Sequence, residues 1–191
     1  MNIRNCVGDK IESLIGSDGY ISPDDLQLKG VSIRYEVVKE DVTRIGNLVE
    51  ATGFFRPDEV KIAIELVEER LEKGPGSGYF FVVAQQAGKV IGYGCYGPIP
   101  CTLTSHDIYW IAVSPDFQGM GLGKIILTEM ERLIFESNGK RAYAETSTQM
   151  RYASTRSFYE GCGYHCEVVL EDFYEPGDGK AIYSKMMGLN S

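Results

Sequence analysis

The stretch IAVSPDFQGMGLGK, residues 111–124, decides how this chain of 191 residues is read. The run leading into it, DIYWIAV at 107–113, has strand length and is apolar on both faces, which suits a central strand covered on both sides. Ser114-Pro115-Asp116 turns the chain. Helical spacing then begins, with Leu122, Ile125, Ile126, Met130, Leu133 and Ile134 on one side of a helix over 122–137. Gly119, Gly121 and Gly123 lie where strand gives way to helix. They strip side chains from a helix N-terminus, where backbone N–H groups lack intrahelical partners and the dipole is positive. A phosphate or pyrophosphate fits such a place, and so does a plain flexible turn.

Two familiar phosphate loops are excluded by the residues present. The dinucleotide fingerprint G-x-G-x-x-G read from Gly119 needs glycine at Lys124, and read from Gly121 needs it at Ile126. The nucleotide loop G-x-x-x-x-G-K-[ST] meets Gln118 where its first glycine belongs and Ile125 where it needs Ser or Thr.

Working outward, Val31, Ile33, Tyr35 and Val37 alternate with polar residues and predict a strand over 31–38. A helix follows over 40–52 and breaks at Gly53-Phe54-Phe55. Arg56-Pro57-Asp58-Glu59 opens the next, because proline and acids suit a first turn. It stops at Gly74-Pro75-Gly76. YFFVVAQ (79–85) and KVIGYGCY (89–96) predict a hairpin. After the central helix come a strand at 141–146, a helix at 152–160 ended by Gly161-Cys162-Gly163, and two closing strands at 164–170 and 180–186.

The order β-α-α-β-β-β-α-β-α-β-β makes an α/β (α+β) fold, a mixed sheet with helices on both faces. Residues 1–30 are set apart as an N-terminal extension, an arm or partner-contacting segment; residues 31–187 form the domain.

A second motif now joins the first. SFYEGCGY (157–164) is a helix ending Phe-Tyr-x-x-x-Gly-Tyr. The segment 111–123 resembles the central motif of the GNAT superfamily of N-acetyltransferases: a strand, then (Arg/Gln)-x-x-Gly-x-(Gly/Ala), then a helix. The stretch 157–164 resembles that family's second hallmark, and the strand order matches over about 31–187. The resemblance implies a three-layer fold with a mostly antiparallel sheet of about seven strands, and acetyl-CoA as co-substrate with no metal. It implies that the backbone of Ile111, Ala112 and Val113 lies along the pantetheine arm. It places the pyrophosphate on the amides of Gly119, Met120, Gly121, Leu122, Gly123 and Lys124, with Gln118 at the edge. A cofactor-touching helix position, often Asn in the family, is Tyr152 here, a departure.

The same resemblance points to Tyr159 as general acid toward the departing thiolate, and to Asp107 where some members carry a glutamate base. Glu145 on the neighbouring strand is the rival. Strand alternation puts Asp107 on one face with Tyr109 and Ile111. Phe54 and Phe55, joining the first two helices, are expected at the acceptor pocket with Tyr109. The reaction so implied is direct transfer of an acetyl group to a primary amine in a ternary complex, the acceptor being a small amine or a peptide or protein amine. A non-catalytic acyl-CoA sensor that keeps the glycine cradle but needs neither Tyr159 nor Asp107 is the alternative.

Composition frames these readings. Apolar residues are 43% and charged residues 24%, values of a folded soluble protein. Nineteen Lys and Arg against 27 Asp and Glu give −8, which repels nucleic acid and attracts cationic amines. The five cysteines, Cys6, Cys95, Cys101, Cys162 and Cys166, are odd in number with no CxxC spacing, and read as free thiols of a reducing compartment. No run of about 18 apolar residues or signal-like segment is present, so no membrane span is expected and a cytoplasmic location follows by elimination. A homodimer is left open.

Overall fold

The computed structural model describes residues 30–188. The arm expected at 1–30 lies, but for Gly30, outside the described residues, as does Cys6. The chain runs β1 (Val31–Arg34), α1 (Asp41–Ala51), α2 (Pro57–Lys73), β2 (Phe80–Gln86), β3 (Lys89–Pro98), β4 (Ser105–Val113), α3 (Leu122–Glu136), β5 (Arg141–Ser147), α4 (Ala153–Gly161), β6 (His165–Glu175) and β7 (Asp178–Met186). The seven strands form one sheet in the order β1-β2-β3-β4-β5-β7-β6, antiparallel except for the β4–β5 pair.

Each face of the sheet has its own core. Val49, Val67, Phe81, Val83 and Tyr93 pack under α1 and α2. Ile126, Met130, Ile134, Ala144 and Tyr183 pack under α3 and α4. Helix α3 sits close to the sheet because β3 offers glycine beneath it: a Cβ on Gly94 would come within 2.6 Å of the Met130 sulfur. Helix α2 starts as its sequence suggests, with Pro57 in the first turn and the Glu59 carboxylate accepting from the Arg56 N–H at 2.7 Å.

The first strand is shorter than the alternation over 31–38 predicts. It ends at Arg34, whose guanidinium lies 2.6 Å from the fully buried Asp41 carboxylate, and Asp41 also accepts the Val38 N–H at 2.8 Å. That carboxylate folds the chain over toward α1. At the other edge, β6 and β7 run longer than expected, reaching Glu175 and starting at Asp178.

Two irregularities position the site. Opposite β3, the register of β4 slips by one residue between Trp110 and Ile108, so Tyr109 is a bulge. Opposite β5, pairing covers only Ser105–Arg141 to Ile108–Ala144, and beyond it the two parallel strands part.

Candidate active site

The parting of β4 and β5 opens a cleft of about 690 Å³. Its walls are the upper halves of the two strands, where they no longer pair with each other, Tyr109 to Val113 on one side and Glu145 to Ser147 on the other. The glycine turn, the joint between α1 and α2, the start of α4 and the β6–β7 hairpin close it.

At one end stands the start of α3. Gly119 (φ 71°) and Gly121 (φ 81°) are left-handed, a backbone state that strains any residue with a Cβ. Gly121 is the N-cap and no side chain caps the helix, so its first N–H groups face outward unclaimed by a capping group. A Cβ on Gly119 would meet nothing within 4 Å, so the space in front of this backbone is open. The turn thus has the bare amides and the room that a pyrophosphate requires.

Of the residues expected along the cofactor, Ile111, Ala112, Val113, Gln118, Gly119 and Gly123 line the cleft. Met120, Gly121, Leu122 and Lys124 do not. The Leu122 side chain is 5% exposed and belongs to the core, so it offers only its backbone. The side-chain amide of Gln118 donates to the Val113 carbonyl at 3.0 Å, which ties the turn back to the end of β4.

Strand alternation misplaces one residue. Ile108 and Ile111 pack in the α3–α4 core, whereas Tyr109 and Trp110 both pack in the α1–α2 core. The bulge at Tyr109 resets the alternation, so Asp107 shares a face with Tyr109 and not with Ile111. Burial, with a smaller contribution from Asp107, raises the Tyr109 phenol to about 12. Asp107 does not line the cleft. It is half-buried, and burial together with the Glu145 charge, against Lys180, raises its carboxyl to about 6.

Glu145 does line the cleft, with its carboxylate 2.6 Å from the Lys180 ammonium. Lys180 in turn sits 3.9 Å above the Phe173 ring. Tyr159 lines the cleft from α4 although it is 6% exposed, in contact with the rings of Phe158, Tyr164 and Tyr183. Burial pushes its phenol well above the ordinary tyrosine range.

Phe54 and Phe55 line the opposite wall. The Phe55 ring lies 4.9 Å from Trp110, and Phe54 lies 6.5 Å from Tyr152. Tyr152, at the position of departure, also lines the cleft, with its ring under the Arg151 guanidinium at 5.0 Å.

Several cleft residues had no signal as site residues in the sequence, Glu59, Tyr174 and Asp178 among them. Glu59 reads only as helix-start chemistry. Tyr174 reaches the cleft because residues 171–174 of β6 stand against the single Gly179 of β7 in a wide bulge, with Asp172 left-handed at φ 52°. Among the described residues, no three His, Cys, Asp or Glu side chains group as a metal site, the cysteines are free, and no helix is long and apolar enough to cross a membrane.

Comparison with known proteins agrees with this geometry. The sequence profile of the Acetyltransferase (GNAT) family matches residues 47–164. A GNAT-family protein from Desulfovibrio desulfuricans has a crystal structure 43% identical in sequence, with a TM-score of 0.82, covering 83% of this chain and 99% of its own. PaiA N-acetyltransferase from Thermoplasma acidophilum, in complex with coenzyme A, is 17% identical with a TM-score of 0.64 over 82% of this chain and 98% of its own. The ribosomal-protein-S18-alanine N-acetyltransferase of Escherichia coli is 18% identical with a TM-score of 0.66 over 84% and 98%. These last two share the fold. A sequence search of curated proteins finds no match.

Proposed function

Since the chain belongs to the GNAT family of acetyltransferases, we propose that it moves an acetyl group from acetyl-CoA to a primary amine by direct attack. The observation that carries this reading is the parting of β4 and β5. It gathers the glycine turn, Tyr159 and Glu145 around one cleft, although they stand far apart in sequence.

The turn Gln118–Lys124 would hold the pyrophosphate through backbone amides, and the upper edge of β4 would receive the pantetheine arm. Acetyl-CoA supplies an activated thioester. Glu145 is the carboxylate placed to take the ammonium proton, through water, with Asp107 behind it. An alkylammonium titrates near 10.4, so freeing the amine at pH 7 costs about 4–5 kcal/mol. The amine nitrogen then bonds to the acetyl carbon, the carbon–sulfur bond breaks and the sulfur leaves as thiolate; the nitrogen releases its second proton to solvent, which returns one to the sulfur and leaves amide and thiol. Tyr159 faces the departing sulfur. With its phenol raised by burial it stays protonated, and it acts by hydrogen bonding to the developing thiolate.

The test is thiol release from acetyl-CoA with tyramine, spermidine, kanamycin and an alanine-rich peptide with a free N-terminus. Release with at least one amine, well above the hydrolytic background, is expected. Tight acetyl-CoA binding with no transfer to any amine would sink the enzyme reading in favour of a sensor.

A further inference from the structure

The charges facing the acceptor side of the cleft are unequally partnered. Glu145 has Lys180 at 2.6 Å. Glu59 accepts the Arg56 N–H at 2.7 Å, with the Arg56 guanidinium at 3.6 Å. Asp178 lines the same cleft and is 6% exposed, yet no described Lys or Arg forms an ion pair with it. Among the described residues, the side chain that hydrogen-bonds to it is Ser147, whose hydroxyl donates to Oδ1. A buried carboxylate without a cation is unfavourable unless something charged completes it.

The carboxylate is also rigidly placed. Ser147 accepts the Gln149 N–H at 3.0 Å, so its own proton is directed to Asp178. The next residue, Gly179, exchanges backbone contacts with Thr148: its N–H donates to the Thr148 hydroxyl at 2.7 Å, and its carbonyl accepts the Thr148 N–H at 2.9 Å. A Cβ on Gly179 would lie 2.7 Å from the Leu170 carbonyl oxygen, so no larger residue fits beside Asp178 without moving backbone. Two aromatic residues, Tyr152 and Tyr174, line the same cleft as Asp178. Both rings stand near cations, with Arg151 5.0 Å from Tyr152 and Lys180 5.9 Å from Tyr174, the kind of neighbour an aromatic face favours.

We propose that Asp178 is the docking carboxylate for the cationic group of the acceptor, held in place by Ser147 in the cleft that Tyr152 and Tyr174 also line. This rests on the transferase reading above. It separates two jobs within one cleft: Asp178 binds the incoming charge, and Glu145 takes the proton.

The experiment uses the amine of the panel that is acetylated most efficiently. Asp178→Asn keeps the shape and the Ser147 hydrogen bond but removes the charge. It should raise the KM for that amine about tenfold or more, with kcat and the Kd for acetyl-CoA within about twofold, and Asp178→Glu should recover part of the loss. An unchanged KM overturns the proposal, and so does a fall in kcat at unchanged KM, which would make Asp178 the base. A second measurement needs no variant. The N-trimethyl derivative of the same amine, which cannot be acetylated, should inhibit the wild type competitively and much better than the neutral alcohol of the same carbon skeleton. Equal inhibition by the two overturns the proposal. Absence of transfer to every amine instead overturns the transferase reading itself.

Discussion

The two ends of the cleft are built in opposite ways. One end is a backbone turn: Gly119 and Gly123 line the cleft at a helix start with no side-chain cap, and the left-handed Gly119 and Gly121 shape it; this is the proposed donor end. The proposed acceptor end is side chains: Phe54, Glu59, Glu145, Tyr152, Tyr174 and Asp178 come from the α1–α2 joint, α2, β5, the start of α4, β6 and β7. A backbone site is insensitive to side-chain identity but intolerant of a changed dihedral. A side-chain site is the reverse. Under the proposed function, donor binding and acceptor choice would therefore change independently.

The largest effect should come from the residue between the two ends. Tyr159→Phe keeps the ring packed against Tyr183 and removes only the hydroxyl. A kcat about 100-fold lower at unchanged acetyl-CoA affinity, by calorimetry, is expected. An unchanged kcat would strip Tyr159 of its role. At the donor end, Gly121→Val forces a β-branched residue to φ 81°, a strain of about 1–2 kcal/mol. Acetyl-CoA should bind about tenfold more weakly while the acceptor KM stays put. If acceptor KM moves as much, the two ends are not independent.

The smallest effect concerns Asp107, behind the cleft. Its carboxyl titrates near 6 in the fold, above its ordinary value, so the fold favours the protonated acid. Stability from this group is full below about pH 4 and is lost as pH rises through about 6. Asp107→Asn should therefore raise the melting temperature at pH 8, by about 2 °C, and leave it unchanged at pH 4. Equal melting shifts at the two pH values would show that the carboxyl is not perturbed.

The fold and the glycine turn were legible because their signals are local. Alternation, helical spacing and glycines within one short segment report strand, helix and turn without reference to the rest of the chain. The bulge at Tyr109 was not legible: IYWIA carries no Gly or Pro, and the slip arises only from pairing with β3. It is why Asp107 and Ile111 were expected on one face and lie on two. The β6 bulge was hidden for a similar reason. Asp tolerates the left-handed state of Asp172 without announcing it, and EDFYE falls beyond the strand expected at 164–170. Asp178 and Glu59 are acids in turns and helix starts, where acids are common anyway. Their meaning comes from a cleft that no short window contains.

The parting of β4 and β5 has a last consequence, for endurance rather than chemistry. The two halves of the sheet meet along only the register from Ser105–Arg141 to Ile108–Ala144. Above it, a bound molecule would touch both halves at once and act as their mortar. Such a ligand, binding the folded chain alone, adds about 2.7 kcal/mol at a hundred times its Kd. For a chain of this size that is about 5–10 °C of heat resistance. The survival of this protein under heat or protease would then rise and fall with the acyl-CoA supply around it, making its abundance a gauge of the substrate it consumes.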